Sequence, residues 1–202
     1  MADSDLNSGY VLNQTAPWWE FSSMPRSQAR LEFNEVVAAR HQRINELKRL
    51  LSHSGITLDD DPELQRIIDW FVEMMSPIDH TNVLDETSLS VTQDIALLLG
   101  ELAIDRHPGV CWDFFIWGKR NISYQSPVLM CFTGEEAKWH GNLDLFRVVH
   151  GYEVTVLENW RDGLIDLEIP PEHPLSGLMI EPPPLDPSEF LTLLSKVAAR
   201  CQ

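Results

Sequence analysis

Cys111-Trp-Asp-Phe-Phe-Ile-Trp117 is the strongest strand signal in a chain otherwise patterned for helices. Strand-forming aromatic and apolar residues alternate around Asp113, and Gly118-Lys-Arg-Asn121 then reads as a turn. Ile122–Tyr124 and Val128–Phe132 can return as antiparallel strands. Pro127 is expected at a bulge or edge position, because proline gives the ladder no N–H. With helical periods on both sides, the expected class is α+β: several helices packed on a small antiparallel sheet.

Upstream of the strand, Ser90-Val-Thr-Gln93 has the spacing of a capping box. It is expected to open a helix that runs to about Arg106 and stops at His107-Pro108-Gly109. Ile95, Leu98, Leu99 and Leu102 make its core face. Gly100 costs such a helix about 1 kcal/mol against alanine, so close packing of another backbone is expected there. Further upstream, Asp59-Asp60-Asp61-Pro62-Glu63 supplies a cap, an early proline and negative charge for a second helix. Its buried stripe is Leu64, Ile67, Ile68, Phe71 and Met75, and Pro77 ends it. Arg26–Ser52 reads as one long helix with Phe33, Val36, Val37, Ile44, Leu47, Leu50 and Leu51 inside. Gly55 follows as its stop, and Glu32, Glu35, Arg43 and Glu46 are assigned to solvent.

Downstream, Leu143–Trp160 is read as a helix, since Leu145, Val149, Tyr152, Val156 and Trp160 share a face and Gly163 can end it. Val154 and Val156 also permit a strand. Residues 164–185 form a proline-rich connector, and Asp186-Pro-Ser-Glu189 caps a last helix through Phe190, Leu193, Leu194 and Val197. The expected organisation is an irregular N-terminal arm, 1–25, and one α+β domain, 26–202. The arm carries Trp18, Trp19 and Phe21, whose docking site is either its own domain or a partner.

Known chemistries leave few marks on this chain. Its seven histidines are dispersed, with no metal-binding spacing, so neither a metal nor a cofactor is assigned. Phosphate loops and a GxSxG elbow are also missing. Cys111 and Cys131 lie among large apolar residues, where inert buried thiols are expected. One enzymatic alternative remains: Asp94, Glu101 and Asp105 fall within about 40° on one helix and could line a cleft with His107. The simpler reading puts those carboxylates on a solvent face. Sparse cysteines and the absence of a signal-peptide pattern point to a cytoplasmic protein, and the longest apolar run is too short for a membrane span.

Charge is the main functional lever. Residues 1–57 hold six basic and six acidic side chains, so the formal net charge of −16 resides in residues 58–202. It is densest from Asp59 to Asp113, where 13 acids face only Arg66 and Arg106. Such a surface repels nucleic acid and anionic membranes and favours a basic protein partner. The expected function is therefore a non-enzymatic acidic binding protein, most concretely an immunity or inhibitor protein occluding a basic toxin or nuclease. Its expected contacts are Asp59, Asp60, Asp61, Glu63, Asp85, Glu86, Trp18 and Trp19. A structural assembly subunit, clasped by the arm and the connector, is the other alternative.

The segment from Asp94 to Phe132, containing LGELAIDRHPGVCWDFFIWGKR (99–120) and SPVLMCF (126–132), resembles a helix–hairpin unit in uncharacterised actinobacterial α+β proteins. It is similar in style to small acidic immunity proteins of bacterial toxin systems. The resemblance covers about a fifth of the chain, implies an α+β fold and carries no site residue over.

Overall fold

A computed structural model describes residues 9–57, 61–75, 86–134, 141–165, 185–186 and 188–202. Within them lie a short 3-10 helix (Trp18–Ser23), α1 (Arg26–His53), α2 (Asp61–Met74), α3 (Glu86–Arg106), β1 (Cys111–Phe114), β2 (Pro127–Met130), α4 (Leu145–Ile165) and α5 (Glu189–Arg200). The protein is α+β, a mostly helical fold with a two-stranded antiparallel sheet packed against the helices.

The central element is α3. Every residue from Ser90 to Gly100 is buried, and the helix packs against α1, α4 and α5. An amphipathic stripe covers only one side of a helix, so burial all round marks α3 as the axle of the core. It is also the one described helix long and apolar enough to cross a membrane, yet 67% of that stretch is buried inside the protein. The helix begins at Glu86, a turn earlier than Ser90 suggests. Ser90 is thus a buried residue within the helix, not its cap.

The other stripes sort cleanly. Leu64, Ile67, Ile68, Phe71 and Met75 of α2 are all buried, as are Phe190, Leu193, Leu194 and Val197 of α5. Asp186 accepts hydrogen bonds from the Ser188 backbone N–H (2.8 Å) and hydroxyl (2.7 Å), just ahead of α5. These bonds hold its carboxyl below the usual range. Residues 143–160 are helical rather than extended from Leu145 onward, and α4 continues through Gly163 to Ile165. Asp144 starts it by accepting the Arg147 backbone N–H at 3.0 Å. Pro77 and residues 166–184, most of the expected connector, lie outside the described residues.

The hairpin is shorter than its sequence suggests. Cys111, Trp112, Asp113 and Phe114 pair with Met130, Leu129, Val128 and Pro127, and Leu129 also bridges to Leu143. Residues 115–126 form a loop, so Ile122–Tyr124 is a turn rather than a strand. Gln125 sits in the left-handed region (φ 64°), and its buried side-chain amide donates to the carbonyls of Phe21 (2.6 Å) and Met24 (3.1 Å). Those bonds tie the loop to the arm. Around them, a side chain rather than a backbone explains Gly100: a Cβ there would lie 1.9 Å from Cζ2 of Trp112. The missing side chain leaves room for the indole.

Candidate functional site

The carboxylates proposed for a dispersed catalytic site do not meet. Asp94 is fully buried in an ion pair with Arg43: Nε donates to Oδ1 at 2.9 Å and Nη2 to Oδ2 at 2.6 Å. The Tyr10 hydroxyl donates to the same Oδ2 at 2.6 Å. Burial pushes the Asp94 carboxyl up to about 6, against the opposing pull of Arg43 and Tyr10. Burial alone would lower Arg43, yet the hydrogen bonds and charge of Asp94 hold it above its ordinary value. A carboxylate with a bidentate cation and a phenol on it is engaged structurally.

The sequence pattern does not show this pairing, because Arg43 and Glu46 fall on the polar face expected in solvent. Both are 6% exposed, and Arg49 of the next turn pairs with Glu46. Arg43 also donates to the Val11 carbonyl at 2.6 Å, while Asn13 bonds Ser90 and Gln93. The polar seam therefore stitches arm residues 10–13 onto α1 and α3.

Glu101 joins three elements. It accepts from Trp112 Nε1 (2.9 Å) and Arg40 Nε (3.1 Å), and His41 Nδ1 is 3.5 Å away. Asp105 is exposed. His107 lines a cleft of about 200 Å³ with Arg106, Cys131, Thr133 and Cys201, and no carboxylate among the described residues lines it. The four residues thus share neither a cleft nor a common solvent face.

The expected partner contacts are only partly described. Asp59, Asp60 and Asp85 lie outside the described residues; Asp61 and Glu63 are placed on the first turn of α2 by backbone only. Glu86 is exposed at the start of α3. Trp18 is 3% exposed and belongs to the core with Phe21, so it is not a surface contact. The described part of the arm, from Gly9 on, packs on its own chain. Trp19 is 37% exposed.

Trp19 is the exposed corner of a built cluster that sequence reasoning missed. Its ring stacks on His150 (centroids 5.7 Å, 26°) and meets Trp18 edge-on (5.8 Å, 84°). His150 also meets Trp18 edge-on at 5.9 Å. The Arg147 guanidinium lies 4.8 Å from the Trp18 ring centroid, a cation–π distance, and donates to the Ile122 carbonyl at 2.8 Å. Ile122 itself is 68% exposed. Behind this surface, fully buried Glu153 bonds His150 Nδ1 at 2.7 Å, and Asp144 pairs with Arg147 at 3.6 Å. Burial raises the Asp144 carboxyl. Trp18 Nε1 and Glu153 Oε1 are buried without a hydrogen-bond partner among the described residues.

A signal for this cluster does exist in the sequence. Asp144, Arg147, His150 and Glu153 recur every third residue, a spacing that brings helix side chains together. Chemically, the result is an aromatic corner whose basic groups Arg147 and His150 are partnered by Asp144 and Glu153, with no nucleophile and no cluster of metal ligands among the described residues. Searches of protein-family models, curated proteins and solved structures find no match to this chain. The fold and site define a small α+β protein with an arm clamped to its core and one preorganised aromatic corner.

Proposed function

We propose that this is a non-enzymatic binding protein, most concretely an immunity or inhibitor protein that covers the basic site of a toxin or nuclease. The observation that carries the proposal is Trp19. It is a partly exposed tryptophan, held by stacking on His150 and backed by buried Trp18, in a chain whose net charge of −16 lies beyond residue 57.

Tryptophan is among the residues that dominate binding energy when preorganised, because little side-chain freedom is lost on contact. Segregated acid does a different task, steering a basic partner from a distance. The structural engagement of Asp94 and Glu101 supports binding over carboxylate catalysis. Packing of the arm on its own chain supports binding over a trans-clasped assembly.

The test is affinity capture from the native cell at low and high salt, comparing wild type with Trp19→Ala. A captured protein should be basic, be released by salt and bind the variant at least about tenfold more weakly, the scale of a hot-spot residue. Capture of a neutral or acidic protein, equally by both chains, would rule the proposal out.

A further inference from the structure

The chain's three cysteines, far apart in sequence, gather at one edge of the fold. Cys111 Sγ is 2.6 Å from Cys131 Sγ, and Cys131 and Cys201 line the cleft beside His107. The approach of the first two has a backbone cause. Cys111 faces Met130 across the ladder, so residue 131 would point to the opposite side if β2 simply continued. Instead, Cys131 takes a left-handed φ of 67°, a conformation costly for any residue with a Cβ, and its sulfur meets that of Cys111. Two sulfur atoms this close lie between ordinary contact and a bond. Among the described residues no three histidine, cysteine, aspartate or glutamate side chains are arranged to hold a metal ion, whereas the two sulfurs already face each other.

We propose that Cys111 and Cys131 form a redox-active dithiol that low-molecular-weight disulfides oxidise to an intramolecular disulfide across the mouth of the β1–β2 hairpin. Access sets the order of events. Cys131 is exposed and Cys111 is half-buried, so the Cys131 thiolate attacks the small disulfide RSSR and releases one RS⁻. The Cys111 sulfur loses its proton to solvent and attacks the Cys131 sulfur of the mixed disulfide, expelling the second RS⁻. The net change is two thiols plus RSSR giving one protein disulfide plus two RSH, with two electrons passing from the protein to RSSR. Burial, together with the hydrogen bond and charge of Cys131, pushes the Cys111 thiol up to about 12. The two contributions from Cys131 disappear once Cys131 is capped, which eases the second step.

Oxidation would fasten the start of β1 to the residue after β2. It would thereby stiffen the hairpin whose loop holds the arm through Gln125. Cys201 stays a free thiol beside the pair. This inference does not depend on the proposed binding function.

The experiment titrates the intact folded protein with oxidised glutathione, counts free thiols and maps linked peptides by mass spectrometry. Free thiols should fall from three to one, with the Cys111 and Cys131 peptides joined, the protein mass reduced by two hydrogens and the melting temperature raised. Cys201→Ser should oxidise just as readily, and Cys111→Ser should retain glutathione on Cys131. A link through Cys201, three thiols that persist, or a wild type that accumulates only the mixed disulfide would overturn the proposal. The wild-type map decides even where a variant fails to fold.

Discussion

Alanine at Gly100 sets helix propensity against packing on one residue. Gly100 lies in the interior of α3, so alanine should stabilise the helix by about 1 kcal/mol if propensity were all that mattered. Space at this position gives the opposite sign. The added methyl would sit 1.9 Å from Cζ2 of Trp112 and within 2.7–2.8 Å of two more indole atoms. The indole cannot yield freely, because its Nε1 bonds Glu101 at 2.9 Å and its ring packs on Phe146 at 5.8 Å.

Relief therefore means moving Trp112. Overpacking costs about 1–3 kcal/mol, and loss of the indole hydrogen bond adds about 1 kcal/mol. Subtracting the helix gain leaves Gly100→Ala destabilised by about 2 kcal/mol. Urea unfolding should show this as a midpoint lowered by about 1 M at an unchanged slope. In the double variant with Trp112→Leu, alanine should cost less than it does alone, because the clashing ring is gone. A midpoint that rises in Gly100→Ala, or strictly additive effects in the double variant, would refute the packing explanation.

Other expectations concern the arm and its ion pair. Phe21→Ala should cost about 3–5 kcal/mol, because the ring is fully buried, whereas Trp19→Ala should fall within about 1 kcal/mol; urea midpoints check both. Equal effects would mean that the arm is not seated in the core. Asp94 titrates near 3.8 when unfolded and at about 6 when folded, so protonation favours the folded state. Its stabilising contribution is full below 3.8 and is lost as pH rises through about 6, with a ceiling of about 3 kcal/mol. Wild-type stability minus that of Asp94→Asn should therefore grow from about pH 7 to about pH 4.5; a flat or falling difference contradicts the shift.

Much of the fold could be read from periodicity, and the reasons for the misses are physical. The stripes of α2 and α5 have clear apolar and polar faces, so spacing alone placed their buried residues correctly. In α3, burial all round removes the contrast from which a face is read, and Asp94 looked like a solvent carboxylate. Its partner Arg43 was assigned to water for the same local reason. Only the tertiary approach of α1, α3 and the arm pairs them, at sequence separations of 51 and 84.

The hairpin was correctly placed and wrongly measured. Strand propensity in Ile122–Tyr124 yields there to a turn closed by the Phe115–Ser126 and Gln125–Phe115 backbone bonds. At the candidate site, Trp19 stood out as an aromatic near the end of the arm. His150 and Arg147 did not, although their three-residue spacing with Asp144 and Glu153 was on view. Cys131 was expected to be buried and inert, yet a positive φ leaves it exposed against Cys111.

The central claim is that segregated acid brings a basic partner in and Trp19 holds it. These act on different rate constants: long-range charge on association, a buried anchor on dissociation. The most direct measurement is the kinetics of the purified complex across ionic strength, with wild type and Trp19→Ala side by side. Association should slow by about tenfold or more as salt rises and be similar in both proteins, while Trp19→Ala should dissociate at least about tenfold faster. An association rate indifferent to salt, or unchanged dissociation of the variant, would contradict it.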